Sequence, residues 1–132
     1  MPKICRVNMA DLSVRYEEAG EAYREFGGRA LTSAMVAAEV PPGCHPLSAE
    51  NRLVIAPGSL TGTGAPCSGR LSAGAKSPLT RTIKEANSGG MPAIHLATCG
   101  IQAIVLEGKP ADGRWYRLRI SSQRMGYSRS SR

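Results

Sequence analysis

Residues 57–90 read PGSLTGTGAPCSGRLSAGAKSPLTRTIKEANSGG, with seven glycines among threonines, serines and a few cations and almost no bulky apolar side chain. Hydrophobic burial cannot account for such a stretch. Glycine admits positive φ and lets a ligand approach main-chain N–H groups closely, so this composition suits a cradle for an anion or a cofactor. The plainer alternative is a turn-rich connection between strands near 70–75 and 82–86.

Known phosphate loops do not fit it. Gly62 and Gly64 begin a GxGxxG pattern, but Cys67 stands at the third glycine position. Gly69, Gly74, Lys76 and Ser77 approach a Walker A loop, yet Ala75 separates Gly74 from Lys76 and misaims the lysine. What remains is a surface rich in main chain with Arg70, Lys76, Arg81 and Lys84 as point charges, suited to a phosphorylated or polar fused-ring ligand rather than to nucleotide hydrolysis.

Around this stretch the chain alternates short strands and helices. Cys5, Val7 and Met9 alternate with polar neighbours, and Leu12, Val14 and Tyr16 alternate again, which predicts a hairpin with one buried face. Ala19, Ala22, Tyr23 and Phe26 have the spacing of a short amphipathic helix ended by Gly27-Gly28. A second helical stripe, Leu31, Ala34, Met35 and Ala38, stops at Pro41-Pro42. The run 41–51, PPGCHPLSAEN, is an irregular connection in which His45 is a surface residue, and LVIA at 53–56 is a strand buried on both faces. MPAIHLATCG at 91–100 reads as a short helix whose N-terminal amides are open to an anion. On it His95 and Cys99, spaced i and i+4, are too few for a metal site and are read as packing residues. Strands follow at 101–106 and 114–120. The tally is an α+β domain, mainly antiparallel or mixed β-sheet with two or three short helices.

At 132 residues the chain is one domain, able to bury roughly two thirds of its unfolded surface. Aromatics are only 5% of it, while 15 glycines and 9 prolines imply a thin core, expected to lean on a cofactor or a neighbouring domain. The net charge of +7 belongs to the end of the chain. Residues 114–132 hold six arginines and no acid, and the remaining 11 cations face 10 acids. A basic, Ser/Arg-rich tail at 121–132 is expected to be solvated and disordered rather than a nucleic-acid arm. The cysteines, at positions 5, 44, 67 and 99, form no ligand cluster and read as reduced structural thiols. With no apolar run of signal or membrane-spanning length, a cytoplasmic protein with no membrane partner is expected.

Against this background the motifs RVN (6–8), GGR (27–29), EVPPG (39–43), PLSAEN (46–51), LTGTGAP (60–66), SGR (68–70), KSPLT (76–80), ANSGG (86–90) and AIVLEGK (103–109) stand in order. Over 4–120 the chain resembles the N-terminal domain of the aldehyde ferredoxin oxidoreductases. The resemblance implies a tungstopterin-binding domain, incomplete here, of enzymes that oxidise an aldehyde to the carboxylic acid and pass electrons through a [4Fe–4S] cluster to ferredoxin. It implies a tungsten or molybdenum ion held by the dithiolenes of two pyranopterins, their phosphates bridged by magnesium. By resemblance Arg70 contacts a pterin, the backbone carbonyl of Asn87 meets the bridging magnesium, and Gly89 and Gly90 lie against pterin. Arg29 and Lys76 fall in matching motifs and are carried as further cofactor-binding candidates.

The chain departs from the family at MPAIHLATCG, where an aromatic-rich segment is usual, at the Pro57-Gly58 order, and after Ile120. Family members run to several hundred residues, so the cluster cysteines and substrate channel lie outside this sequence. A truncated or frame-shifted gene product, or a split subunit, that needs the remainder of the oxidoreductase or a partner subunit is expected. The alternative is a cofactor-free accessory protein or remnant docking to an oxidoreductase partner.

Overall fold

The computed structural model describes residues 2–121 and, as backbone, 125–129. Its centre is a six-stranded mixed sheet in the order β2-β1-β6-β3-β4-β5. These strands are β1 (Lys3–Asn8), β2 (Ser13–Glu18), β3 (Leu53–Pro57), β4 (Arg70–Lys76), β5 (Ile83–Gly89) and β6 (Ile101–Glu107). Only β1 and β6 run parallel; the other neighbours are antiparallel. Two helices, α1 (Gly28–Glu39) and α2 (Met91–Thr98), complete the α+β architecture that the sequence predicts.

Strand alternation divides the core into two layers. Ile4, Val54, Ala56, Ala103 and Val105 pack with Leu31, Met35 and Val36 of α1, whereas Cys5, Val7, Ile55, Ile104 and Leu71 pack with Leu96 of α2. Successive strand residues face opposite sides, so α1 and α2 cover opposite faces of the sheet. This amends the expected one-faced hairpin: Ile4 is as buried as Cys5 and Val7, because α1 shields the second face of β1. On the α2 side, burial pushes the Cys5 thiol up to about 11 against a weaker opposing hydrogen bond with Tyr16. Cys5 is thus a packing residue at neutral pH.

The buried stripe of α1 is Leu31, Thr32, Met35 and Val36. It is rotated from the expected one, with Ala38 exposed. Gly74 explains the rotation, since a Cβ there would stand 2.8 Å from the Thr32 Cβ. The missing side chain lets α1 settle closely onto β4 through Thr32.

Residues 19–26 do not form the expected helix. They make two successive turns, Tyr23 N–H donating to Gly20 O and Phe26 N–H to Tyr23 O. The helical spacing of Ala19, Ala22, Tyr23 and Phe26 is overridden by Gln102, whose Nε2 donates to the carbonyls of Tyr23 (2.7 Å), Arg24 (3.3 Å) and Phe26 (2.9 Å). Side-chain bonds from β6 satisfy carbonyls that a helix would have used itself. Gln102→Leu should cost about 1–2 kcal/mol in urea unfolding, with amide exchange accelerated first in this loop.

The end of the chain also differs from expectation. The last predicted strand starts at Tyr116 rather than Arg114, as β7 (Tyr116–Ile120), and pairs antiparallel with β8 (Met125–Arg129). The disordered-tail reading is therefore amended over 125–129; residues 122–124 and 130–132 lie outside the described residues. Leu118 and Ile120 dock on the α2-side core, which anchors β7 and gives β8 a partner.

An ionic network ties the C-terminal end of α1 to the sheet. Arg6 holds Glu39 through two bonds of 2.8 Å and reaches Glu17 at 2.6 Å. Arg52 bonds Glu39 and lies 3.2 Å from Glu107, which Arg15 also meets at 3.1 Å. The Arg6 side chain is only 11% exposed, so the polar side of β1 is polar and packed at once. Burial raises the Glu39 carboxyl, but the hydrogen bond and charge of Arg6, joined by Arg52, outweigh it and hold the group below its ordinary 4.5. A carboxylate depressed on folding contributes stability that is complete above the unfolded value and is lost as pH falls through the folded one. Urea midpoints should therefore decline below about pH 4.5, and Glu39→Gln should make that decline shallower.

Candidate functional site

The site forms where the N-terminus of α1 meets the outer end of β4 and β5. Gly27 enters α1 against the main chain of the loop after β3; a Cβ on it would stand 2.3 Å from the Ser59 nitrogen. Gly28 follows at φ 54, a left-handed conformation that favours glycine. No side chain caps α1, so the first-turn amides are left open at this spot, together with the positive end of the helix dipole.

Beside that terminus lie the residues of the two strands. Register pairs Arg70 with Gly89 and Ser72 with Asn87, and directly opposed residues share a face. Ser72 lies under Gly28, 3.5 Å from where a Cβ would be, and its hydroxyl donates to Asn87 Oδ1 at 3.2 Å. Arg70 Nη1 lies 3.5 Å from the corresponding position on Gly89. Arg70, Asn87 and Gly89 therefore all point to the α1 side. Arg29, Arg70, Asn87, Gly89 and Gly90 are exposed, and among the described residues Arg70 has no acid within 4.0 Å.

Main-chain direction adds to the picture. Arg70 O accepts from Gly58 N–H, and Lys76 N–H donates to Asn51 Oδ1, so the even-numbered residues of β4 turn their backbone groups away from β5. Their partners Asn87 and Gly89 must then turn carbonyls and amides outward, to the open edge of the sheet. Gly90, at φ 98, leads directly into α2, whose N-terminus also lacks a side-chain cap. The α1 side of this corner thus combines an open helix terminus, Arg29 and Arg70, and the outward carbonyls of the edge strand on a surface almost without side chains. It can grip phosphates by N–H groups and guanidinium, give oxygen ligands to a hard cation, and lie flat against a fused ring.

Not every expected residue is here. Lys76 lies six residues along β4 from Arg70, about 20 Å at strand rise; it is 7% exposed and its ammonium donates to the Pro42 carbonyl. Arg81 belongs to the same distant end, and Lys84, paired with Ala75, faces the α2 side. His95 is exposed on α2, and among the described residues no three His, Cys, Asp or Glu side chains converge to hold a metal. Sequence reasoning missed Ser72, Gly28 and the Gly58-Ser59 main chain. Ser72 follows Arg70 by two in a strand and Gly28 stands in the GGR motif, so both had a usable signal.

The profile of the aldehyde ferredoxin oxidoreductase N-terminal domain matches residues 4–127. The tungsten-containing aldehyde ferredoxin oxidoreductase of Pyrococcus furiosus is 44% identical over 109 residues, and that of Thermococcus kodakarensis 43%. Each alignment covers 81% of this chain and 18% of the relative, so the chain spans under a fifth of the length of these enzymes. Among solved structures, the BamBC active-site complex of benzoyl coenzyme A reductase in complex with 1,5-dienoyl-CoA superposes with a TM-score of 0.90 at 25% identity. That superposition covers 97% of this chain and 20% of the other. With the motifs, the mixed sheet and the profile in agreement, this chain belongs to the aldehyde ferredoxin oxidoreductase family, as its N-terminal domain.

Proposed function

We propose that this chain is the cofactor-binding module of a tungsten- or molybdenum-dependent aldehyde oxidoreductase, working with the remainder of the enzyme or a partner subunit. The observation that carries the reading is the convergence of Arg70, Asn87 and Gly89 on one face against the uncapped start of α1. When bound, the bis-pyranopterin metal centre would supply the two-electron redox chemistry. The chain's own part is to bind and orient it. Arg70 and Arg29 pair with phosphate or pterin polar atoms, the α1 amides receive a phosphate, and the outward Asn87 carbonyl gives an oxygen to magnesium. Gly89 and Gly90 leave room for a flat ring. Lys76 is not assigned to the cofactor, because β4 carries it to the opposite end of the sheet. Electron transfer to ferredoxin through a [4Fe–4S] cluster belongs to the remainder of the enzyme.

The test is retention. Chain incubated in cofactor-replete extract and repurified should carry tungsten or molybdenum by metal analysis, with pterin fluorescence on denaturation. Chain recovered free of both, yet bound to a larger tungsten enzyme, would favour the accessory-protein reading instead.

A further inference from the structure

We propose that the cleft between the C-terminal half of α1 and the β4–β5 turn binds a small apolar carboxylate. The cleft holds about 380 Å³, and Val36, Val40, Pro42 and Ile83 line it together with Lys76 and Arg81. Its walls are mostly hydrocarbon and its charges are both positive. Among the described residues neither cation lies within 4.0 Å of a carboxylate. Lys76 gives one hydrogen to the Pro42 carbonyl, at the helix end that favours a cation, and an ammonium has three to give.

Arg81 is the second and more telling observation. Its φ is 61, a left-handed conformation that a residue with a Cβ adopts at a cost, and the turn holds it there. Arg81 N–H donates to Ser77 O at 2.9 Å, and Ser77 N–H donates to Thr82 O at 2.8 Å. Glycine would fit that backbone without strain. Arginine in its place adds a cationic residue to the lining of an apolar cleft, and strain of this kind gathers at ligand clamps. A guanidinium takes a carboxylate by two parallel hydrogen bonds. Ile83, 41% exposed at the mouth, gives the ligand's apolar body a wall. Inorganic phosphate would gain nothing from these walls, and a neutral amide would gain little from Arg81. The cleft lies at the far end of β4 from the cofactor corner, so this proposal stands independently of the proposed function.

The 132-residue chain is titrated with hexanoate and benzoate while amide shifts are followed by NMR, with hexanamide and inorganic phosphate as controls. Both carboxylates should shift the amides of Val36, Ala37, Val40 and Ile83, and both controls should leave them unmoved. Arg81→Gly should raise the thermal midpoint by about 3 °C as the strain is relieved. The same variant should weaken hexanoate binding about tenfold. Equal response to hexanoate and hexanamide, no response to either carboxylate, or full binding by Arg81→Gly would overturn the proposal.

Discussion

Arg6→Ala is expected to lower the unfolding free energy by about 3–5 kcal/mol. The arginine serves Glu39 at the end of α1, Glu17 on β2 and Glu107 on β6, and the last two of those contacts cross the sheet. Its removal leaves Glu39, 17% exposed, with Arg52 alone, and Glu107, 15% exposed, with that same Arg52 and the exposed Arg15. A buried carboxylate stripped of a partner carries its desolvation uncompensated, which is why breaking such a pair costs more than the pair contributes. Urea unfolding of the single variants and of Arg6→Met/Glu39→Leu checks this. The double variant should recover a large part of the loss, since apolar replacement of both partners removes the orphaned charge. Additive losses would show that the network is merely a solvated surface.

Arg70→Ala is expected to reduce cofactor retention by about 10- to 100-fold while leaving the thermal midpoint of the bare chain nearly unchanged. The guanidinium is exposed and lies outside the ionic network of the sheet, so stability should not depend on it. Binding should, because hydrogen bonds between a guanidinium and phosphate or ring oxygens are charge-assisted. Gly89→Val should act in the same direction by filling the bare surface beside Arg70. Lys76→Met serves as the contrast: it removes a buried ammonium bonded to Pro42 O, so it should lower stability and leave retention per folded molecule alone. Metal content and pterin fluorescence, scaled to folded protein, separate the three.

Much of this was legible in the sequence wherever the decisive interactions are local. Leu31 and Met35, followed by Pro41-Pro42, mark α1; the glycine pair at 89–90 followed by Pro92 marks the start of α2. The misreadings fall where a distant residue decides. Residues 19–26 have helical spacing, but Gln102 takes their carbonyls from across the fold. Arg6 reads as a solvent-facing strand residue because its acids come from positions 17, 39 and 107. In the proposed site, the motifs single out Arg70, Asn87 and Gly89, while the place of the α1 N-terminus beside them depends on Gly27 meeting Ser59, a contact no spacing rule reveals. Lys76 lies in a matching motif too, yet a strand of seven residues is long enough to carry it away from Arg70.

Amide hydrogen exchange, compared between cofactor-loaded and stripped chain, tests most directly whether main chain at this corner receives the cofactor. Slowing confined to the first turn of α1 and to residues 87–90 is the predicted result. Slowing centred instead on the Lys76 end of β4, or none at all in a chain that carries the metal, would contradict it.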